Sequence, residues 1–224
     1  MRRSDTNRSL GLLAAVAASG LLLTACGGGG DEPSAPPSSA PPVDEAKLLT
    51  QADLPEGFAL ATVPPDTAFQ SAMQAFGQVQ AAEITPATCK DKNVALQQEL
   101  LETIKYGGQQ TVSQGATNYG VTLLPNSARL SVFEAAGTGE CSSLSYGTVL
   151  KQTTTRAALP ADVVGADGFI LEATRTGAGQ TVRSASAYFT KNGVLAMVSA
   201  NPNQSGAVDE PVFEDLIRRV AGKL

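Results

Sequence analysis

Few side chains in this 224-residue chain can do covalent or metal chemistry, because it has three cysteines and no histidine. The absence of histidine excludes Ser-His and Cys-His nucleophile pairs and every imidazole metal site. If Cys26 is modified, Cys89 and Cys141 are too few for a four-thiolate zinc site. We therefore expect neither a metal nor a cofactor, and any catalysis would need a pair of carboxylates or a Ser-Lys arrangement.

Four acidic residues are candidates for such catalysis. Asp162 and Asp167 fall in one loop, and Glu134 and Glu140 flank the Gly-containing stretch before Cys141. Isolated acids are usually solvated, and the chain has no nucleophile elbow, P-loop or dinucleotide fingerprint. We predict a protein that is not an enzyme.

Cys26 has a different chemistry, set by the residues before it. A basic segment with Arg2, Arg3 and Arg8 precedes an apolar run over 10–23, which is too short to span a bilayer. The run ends in Leu-Thr-Ala-Cys, which resembles the bacterial lipobox, whose cysteine is diacylated and becomes the mature N-terminus. We predict a lipoprotein signal peptide over 1–25 and a lipid-anchored protein on the outer face of the cell membrane; the alternative is a plain secretory signal with a chance cysteine.

The stretch after the anchor is predicted to be a tether. Residues 27–43 are almost entirely Gly, Pro, Ser and Ala, which cannot bury enough apolar surface to offset the entropy of ordering. Beyond residue 25, 13 basic and 20 acidic side chains give a net charge of −7. Such a charge disfavours nucleic acid as a partner, so the predicted membrane association depends on the lipid.

Cys89 and Cys141 form an even pair in the oxidising compartment that the leader implies. We predict a disulfide between them, closing a loop of about 50 residues. The alternative is a reactive thiol, which neither a Cys-x-x-Cys motif nor a neighbouring histidine supports.

A possible ligand-contacting face lies in the segment 66–83. Phe69, Met73 and Phe76 recur at helical spacing, with glutamines on the other side. One interpretation is an amphipathic helix that covers a sheet. The other is that these three side chains provide an adaptable lining for an apolar ligand, since Met and Phe pack against varied shapes.

The elements that would position these residues belong to an α+β domain over 44–224. We predict a short helix capped by Asp44, a strand at 58–63, helices over 66–83 and from 87, a strand near 119–123 and one long strand over 144–155. A three-strand antiparallel meander over 169–199, with a turn at Asn192-Gly193, and a final helix capped by Asp209 complete the chain. We expect a single twisted antiparallel sheet with its helices packed on one face.

The run LLTQADLPEGF at 48–58, the Pro-x-x-Cys at 86–89 and the hairpin followed by a last helix resemble small actinobacterial lipoproteins. Their domain is similar to the extracellular sensor domain of mycobacterial serine/threonine kinases, in which a cleft is proposed to bind a ligand. The resemblance implies a tethered protein that binds or senses a small apolar or amphipathic envelope ligand. The alternative is a structural protein that docks an envelope partner.

Overall fold

The computed structural model describes residues 41–115, 117–125, 128–201 and 207–224. The predicted signal peptide, Cys26 and most of the predicted tether lie outside the described residues. The described chain has the α+β class that the sequence predicts. Its antiparallel strands are β1 (Phe58–Val63), β2 (Ile84–Thr85), β3 (Gly108–Gln114), β4 (Thr117–Pro125), β5 (Ser143–Tyr146), β6 (Leu150–Ala157), β7 (Asp167–Gly177), β8 (Gln180–Lys191) and β9 (Val194–Ala200).

Four α-helices accompany the sheet in the described chain. They are α1 (Pro65–Ala81), α2 (Ala87–Thr103), α3 (Leu130–Gly137) and α4 (Glu210–Lys223). Asp209 caps α4 as predicted, since its carboxylate accepts from the backbone N–H of Val212 at 3.3 Å. Within the described residues, no helix is both long and apolar enough to cross a membrane.

The strands form one nine-stranded sheet in the order β1-β3-β4-β9-β8-β7-β6-β5-β2. The predicted meander is confirmed, with β8 between β7 and β9. Its second turn is Asn192-Gly193, where both residues have positive φ, 47° and 75°. Such a two-residue turn fits the right-handed twist of paired strands, and so it sets the register of the hairpin.

The helices lie on both faces of the sheet, which corrects the expectation of a single helix-bearing face. Successive residues of β9 alternate between two core clusters. Val194, Ala196 and Val198 join the cluster that contains α4. Leu195 and Met197 join the cluster that contains α1, α2 and α3. Because a strand points alternate side chains to opposite faces, the two helical layers must be on opposite sides.

The long strand predicted over 144–155 is also wrong, because the chain turns back within it. β5 and β6 are a hairpin in which Tyr146 pairs with Leu150. Gly147 takes a positive φ of 56° in the turn, and Val149 is 75% exposed there. Alternation of apolar residues continues through the turn, so the sequence pattern alone does not reveal the reversal.

Candidate functional site

The structure does not gather the three predicted ligand residues of α1 into one cavity. Phe69 packs against the core cluster shared with α2 and the sheet. Met73 is 47% exposed, and Phe76 is partly buried. None of these three lines any of the three main clefts of the described chain. Their contact with a ligand stays a prediction.

Cys89 and Cys141 form a disulfide in the structure, with both residues fully buried and their Cα atoms 5.5 Å apart. The bond joins the first turn of α2 to the 3₁₀ turn before β5. A carboxylate oxygen of Glu140 lies within 4.8 Å of both sulfurs. Because the sulfurs are bonded to each other, they cannot act as thiolate ligands, and these three residues do not form a metal site.

The acidic residues singled out in the sequence are mostly paired with cations. Glu134 contacts Arg156 at 2.8 Å, Glu140 contacts Lys92 at 2.8 Å, and Asp162 contacts Arg218 at 2.8 Å. The hydrogen bonds from Arg218 and Lys92 lower the pKa values of Asp162 and Glu140. A general acid needs a raised pKa, so the shifts of Asp162 and Glu140 are opposite to those that this role requires.

A cleft of about 350 Å³ lies between the first turns of α4 and strands β6–β8. We call it the α4 cleft. Its floor is apolar: Ile170 and Ala185 are each 7% exposed, and Phe213 is 3% exposed. The volume falls in the range of small-molecule sites, and a floor of this kind favours an apolar ligand surface.

The rim of the α4 cleft is mainly acidic. Glu172 follows Ile170 by two positions on β7 and so faces the same side of the sheet. Glu210 and Glu214 come from α4, and Arg183 is the one cation among the described residues that line the cleft. Glu214 forms a salt bridge with Arg218 at 2.9 Å, a cation that it shares with Asp162, whereas Glu172 and Glu210 form no salt bridge with a described residue. An apolar floor under two unpaired carboxylates favours an amphipathic ligand with a positive charge.

A second, smaller cleft of about 220 Å³ lies on the opposite face of the same β7–β8 hairpin, against α2 and α3. We call it the α2 cleft. Arg175 and Gln152 are cross-strand partners at its edge, and Arg175 Nε donates to Gln152 Oε1 at 2.7 Å. Gln97 and Tyr188 line it from α2 and β8. The sequence did not indicate either cleft. Most of the β7 residues that line them alternate between the two faces, whereas Ala173 borders both clefts.

Comparison with known proteins adds little to this description. No protein-family model and no curated protein matches the chain. One similar solved structure is the X-ray structure of an uncharacterised protein from Mycobacterium smegmatis, an orthologue of Rv0999. The two share 12% identity over 77% of this chain and 92% of the other, with a TM-score of 0.47. The resemblance to kinase sensor domains is not confirmed by these comparisons.

Proposed function

We propose that the protein is a lipid-anchored extracytoplasmic binding protein that takes a small amphipathic ligand in the α4 cleft. One observation carries the proposal: a cleft of about 350 Å³ joins a nearly buried apolar floor to an acidic rim. The lipobox and tether support the location on the membrane. The resemblance to sensor-type lipoproteins supports a binding or sensing role.

The ligand class follows from the two parts of the cleft. Burying the apolar part of a ligand over Ile170, Ala185 and Phe213 contributes about 25 cal/mol for each Å² removed from water. Glu172 and Glu210 would then lie beside its polar end, where a positive charge is favoured over a negative one. An alkylammonium group satisfies both requirements, and an anionic amphiphile satisfies only the first.

Three short amphiphiles with the same chain test this choice: hexyltrimethylammonium, hexanol and hexanoate. Each would be titrated calorimetrically into the lipidated protein in nanodiscs, and the heat of empty nanodiscs subtracted. We expect the cation to bind most tightly and hexanoate least. A double variant that combines Glu172→Gln and Glu210→Gln should bind the cation about tenfold more weakly, since each exposed charge contact contributes up to ~1 kcal/mol.

The matched control is Glu102→Gln, which removes an exposed carboxylate from α2 on the other helical layer. It should leave binding unchanged. An equal loss of affinity for the cation in Glu102→Gln would mean that the net charge of the protein, and not the rim of the α4 cleft, attracts the cation. If none of the three amphiphiles binds, the proposal fails and the alternative of an envelope protein that docks a partner is favoured.

A further inference from the structure

The α2 cleft differs from the α4 cleft in its charge. Of the described residues that line it, Arg175 is the single charged one, whereas three carboxylates of the described chain line the cleft on the other face. Arg175 is exposed and forms no salt bridge with a described residue. In a domain as acidic as this one, an unpaired arginine beside a cleft without carboxylates favours an anion.

Gln97, which lines the cleft from α2, carries an unpartnered hydrogen-bond acceptor. Oε1 of Gln97 is buried and has no hydrogen-bond partner among the described residues. Leaving a buried acceptor unpaired costs free energy, about 1–3 kcal/mol. A ligand that brings a hydroxyl group to Gln97 would remove this cost, whereas an apolar ligand would leave it in place.

The other residues that line the α2 cleft also suit a hydroxylated ligand. Thr154, Ser184 and Ser186 place hydroxyl groups on the sheet side of the cleft. Phe133 and Tyr188 form an aromatic pair with ring centroids 5.3 Å apart. Phe133 is buried behind Tyr188, whose ring adds apolar surface beside the hydroxyl groups, the combination that suits the C–H and O–H groups of a small ring.

The position of Arg175 is held by its partner across the strands. Its Nε–H donates to Gln152 Oε1, which leaves the two terminal nitrogens of the guanidinium available for a carboxylate. The volume of the cleft, about 220 Å³, equals that of about seven water molecules. This is enough for a single small ring and too small for a long acyl chain.

We propose that the α2 cleft binds a small hydroxylated carboxylate of the sugar-acid class, with its carboxylate on Arg175 and a hydroxyl group donating to Gln97 Oε1. The site is independent of the α4 cleft: it lies on the other face of the β7–β8 hairpin and selects the opposite charge. The hairpin therefore separates two binding sites of different chemistry.

The test uses D-glucuronate as the probe, with D-glucose and D-glucosamine as its neutral and cationic counterparts. Each is titrated into the full lipidated chain in nanodiscs. Glucuronate should bind, glucose should bind at least tenfold more weakly, and glucosamine should not bind. Arg175→Gln should weaken glucuronate binding about tenfold, as loss of a hydrogen bond between charged groups does.

Two further variants make the result decisive. Arg183→Gln removes another exposed arginine, on the opposite face of the hairpin, and should leave glucuronate binding unchanged. Gln97→Leu should weaken binding without lowering the free energy of unfolding, because it removes an acceptor that has no partner in the protein. The proposal is overturned if glucuronate does not bind, if glucosamine competes with glucuronate for its site, or if Arg183→Gln has the same effect as Arg175→Gln.

Discussion

Gln110 shows how one side chain can attach a segment that has no strand of its own. It is 2% exposed on β3, and its amide pairs with the backbone of Leu49, accepting from the N–H at 3.0 Å and donating to the C=O at 2.8 Å. The pair substitutes for a missing strand and holds Leu49 in the core beneath α4. This attachment positions the segment 43–54 against the sheet.

We predict that Gln110→Leu lowers the free energy of unfolding by about 2–3 kcal/mol, because both backbone groups of Leu49 would be left buried without partners. The neighbouring substitution Gln109→Leu should lower the free energy of unfolding by less than about 1 kcal/mol, since the Gln109 amide makes only a 3.5 Å contact with Thr122. Urea denaturation of the three proteins measures the difference. Similar losses in both variants would contradict the role assigned to Gln110.

Asp53 connects the same segment to the end of α4 and makes stability depend on pH. The backbone N–H and hydroxyl of Thr50 each donate to its carboxylate at 2.7 Å, and Lys223 Nζ lies 3.2 Å away. These contacts, the backbone hydrogen bond first, lower the pKa of Asp53 from 3.8 to about 2. A lowered pKa means that the folded state favours the ionised form. The contribution of ionised Asp53 to the free energy of unfolding is therefore fully present above about pH 4 and is lost as the pH falls through 2.

We therefore expect Asp53→Asn to be less stable than the wild type at pH 6. This gap, the difference in their free energies of unfolding, should shrink as the pH falls to 2. Urea midpoints of both proteins at several pH values measure the gap. Glu56→Gln, at an exposed position nearby, is the control and should show a gap near zero throughout. A gap for Asp53→Asn that stays constant between pH 6 and pH 2 would contradict the assignment.

At the scale of elements, α1 is a covering helix with one buried side. Ala68 is 4% exposed, and Phe69 and Ala72 pack against the core cluster that contains Leu124 and Leu195 of the sheet. The apolar face predicted for α1 is wider than the area that α2 and the sheet cover. Met73 is exposed because it lies at the uncovered part of that face. Part of the predicted apolar face thus completes the core, and part of it meets solvent.

We predict that Phe69→Ala lowers the free energy of unfolding by about 2–3 kcal/mol through loss of buried contacts. Met73→Ala, one turn further along, should change it by under about 0.5 kcal/mol. Thermal or urea unfolding measures both. Because Met73 was predicted to contact a ligand, its variant should also be titrated with hexyltrimethylammonium; an undiminished affinity is expected if the ligand occupies the α4 cleft.

The disulfide is the covalent link between α2 and the β5 edge of the sheet. Cys89 and Cys141 are 52 positions apart, and Ile84 and Leu144 pack around them in a small cluster of their own. This cluster is separate from the two larger ones, so it has less apolar surface to hold it. The bond therefore stabilises the part of the molecule that packing stabilises least.

We predict that the double variant Cys89→Ala/Cys141→Ala is less stable by about 3–4 kcal/mol, the loop-closure value for a loop of this length. Thiol labelling of the denatured, non-reduced mature wild type should find neither cysteine free. Labelling of both cysteines in freshly prepared protein would contradict the bond. A double variant as stable as the wild type would contradict its structural role.

At the scale of the whole molecule, the proposal combines an anchor at one end with binding clefts on the two faces of the folded part. Two acyl chains can hold a protein stably at a membrane, whereas one chain binds only reversibly. In this arrangement the lipid provides the location and the acidic domain remains free to select its ligand. The anchor and the clefts are separable, because different residues carry them.

We predict that Cys26→Ala releases the protein from membranes or leaves it unprocessed, because the acylated thiol is lost. Fractionation of cells and the electrophoretic mobility of the protein measure this. Ser19→Ala, in the apolar run of the same leader, is the control and should leave both unchanged. A Cys26→Ala protein that fractionates and migrates like the wild type would overturn the lipoprotein assignment.

The features that depend on neighbours along the chain could be predicted from the residue types alone. The cap at Asp209, the turn at Asn192-Gly193 and the ion pairs Glu214–Arg218 and Asp215–Arg219 within α4 were all predictable. Each depends on residues no more than four positions apart, where geometry follows directly from residue type. The pairing of Cys89 with Cys141 was predictable for a different reason, since after Cys26 was assigned to the anchor no other partner remained.

Only the tertiary structure decided which surfaces meet. The strand order, the placement of helices on both faces and the pairing of Gln110 with Leu49 join residues that are far apart in the chain. The α4 cleft likewise combines β7 with α4, whose contributions Glu172 and Glu210 are 38 positions apart. Periodicity shows that a face is apolar, but it does not show what covers that face, because packing depends on the whole set of elements. For this reason the predicted ligand residues fell on α1, whereas the clefts formed at the two faces of the β7–β8 hairpin.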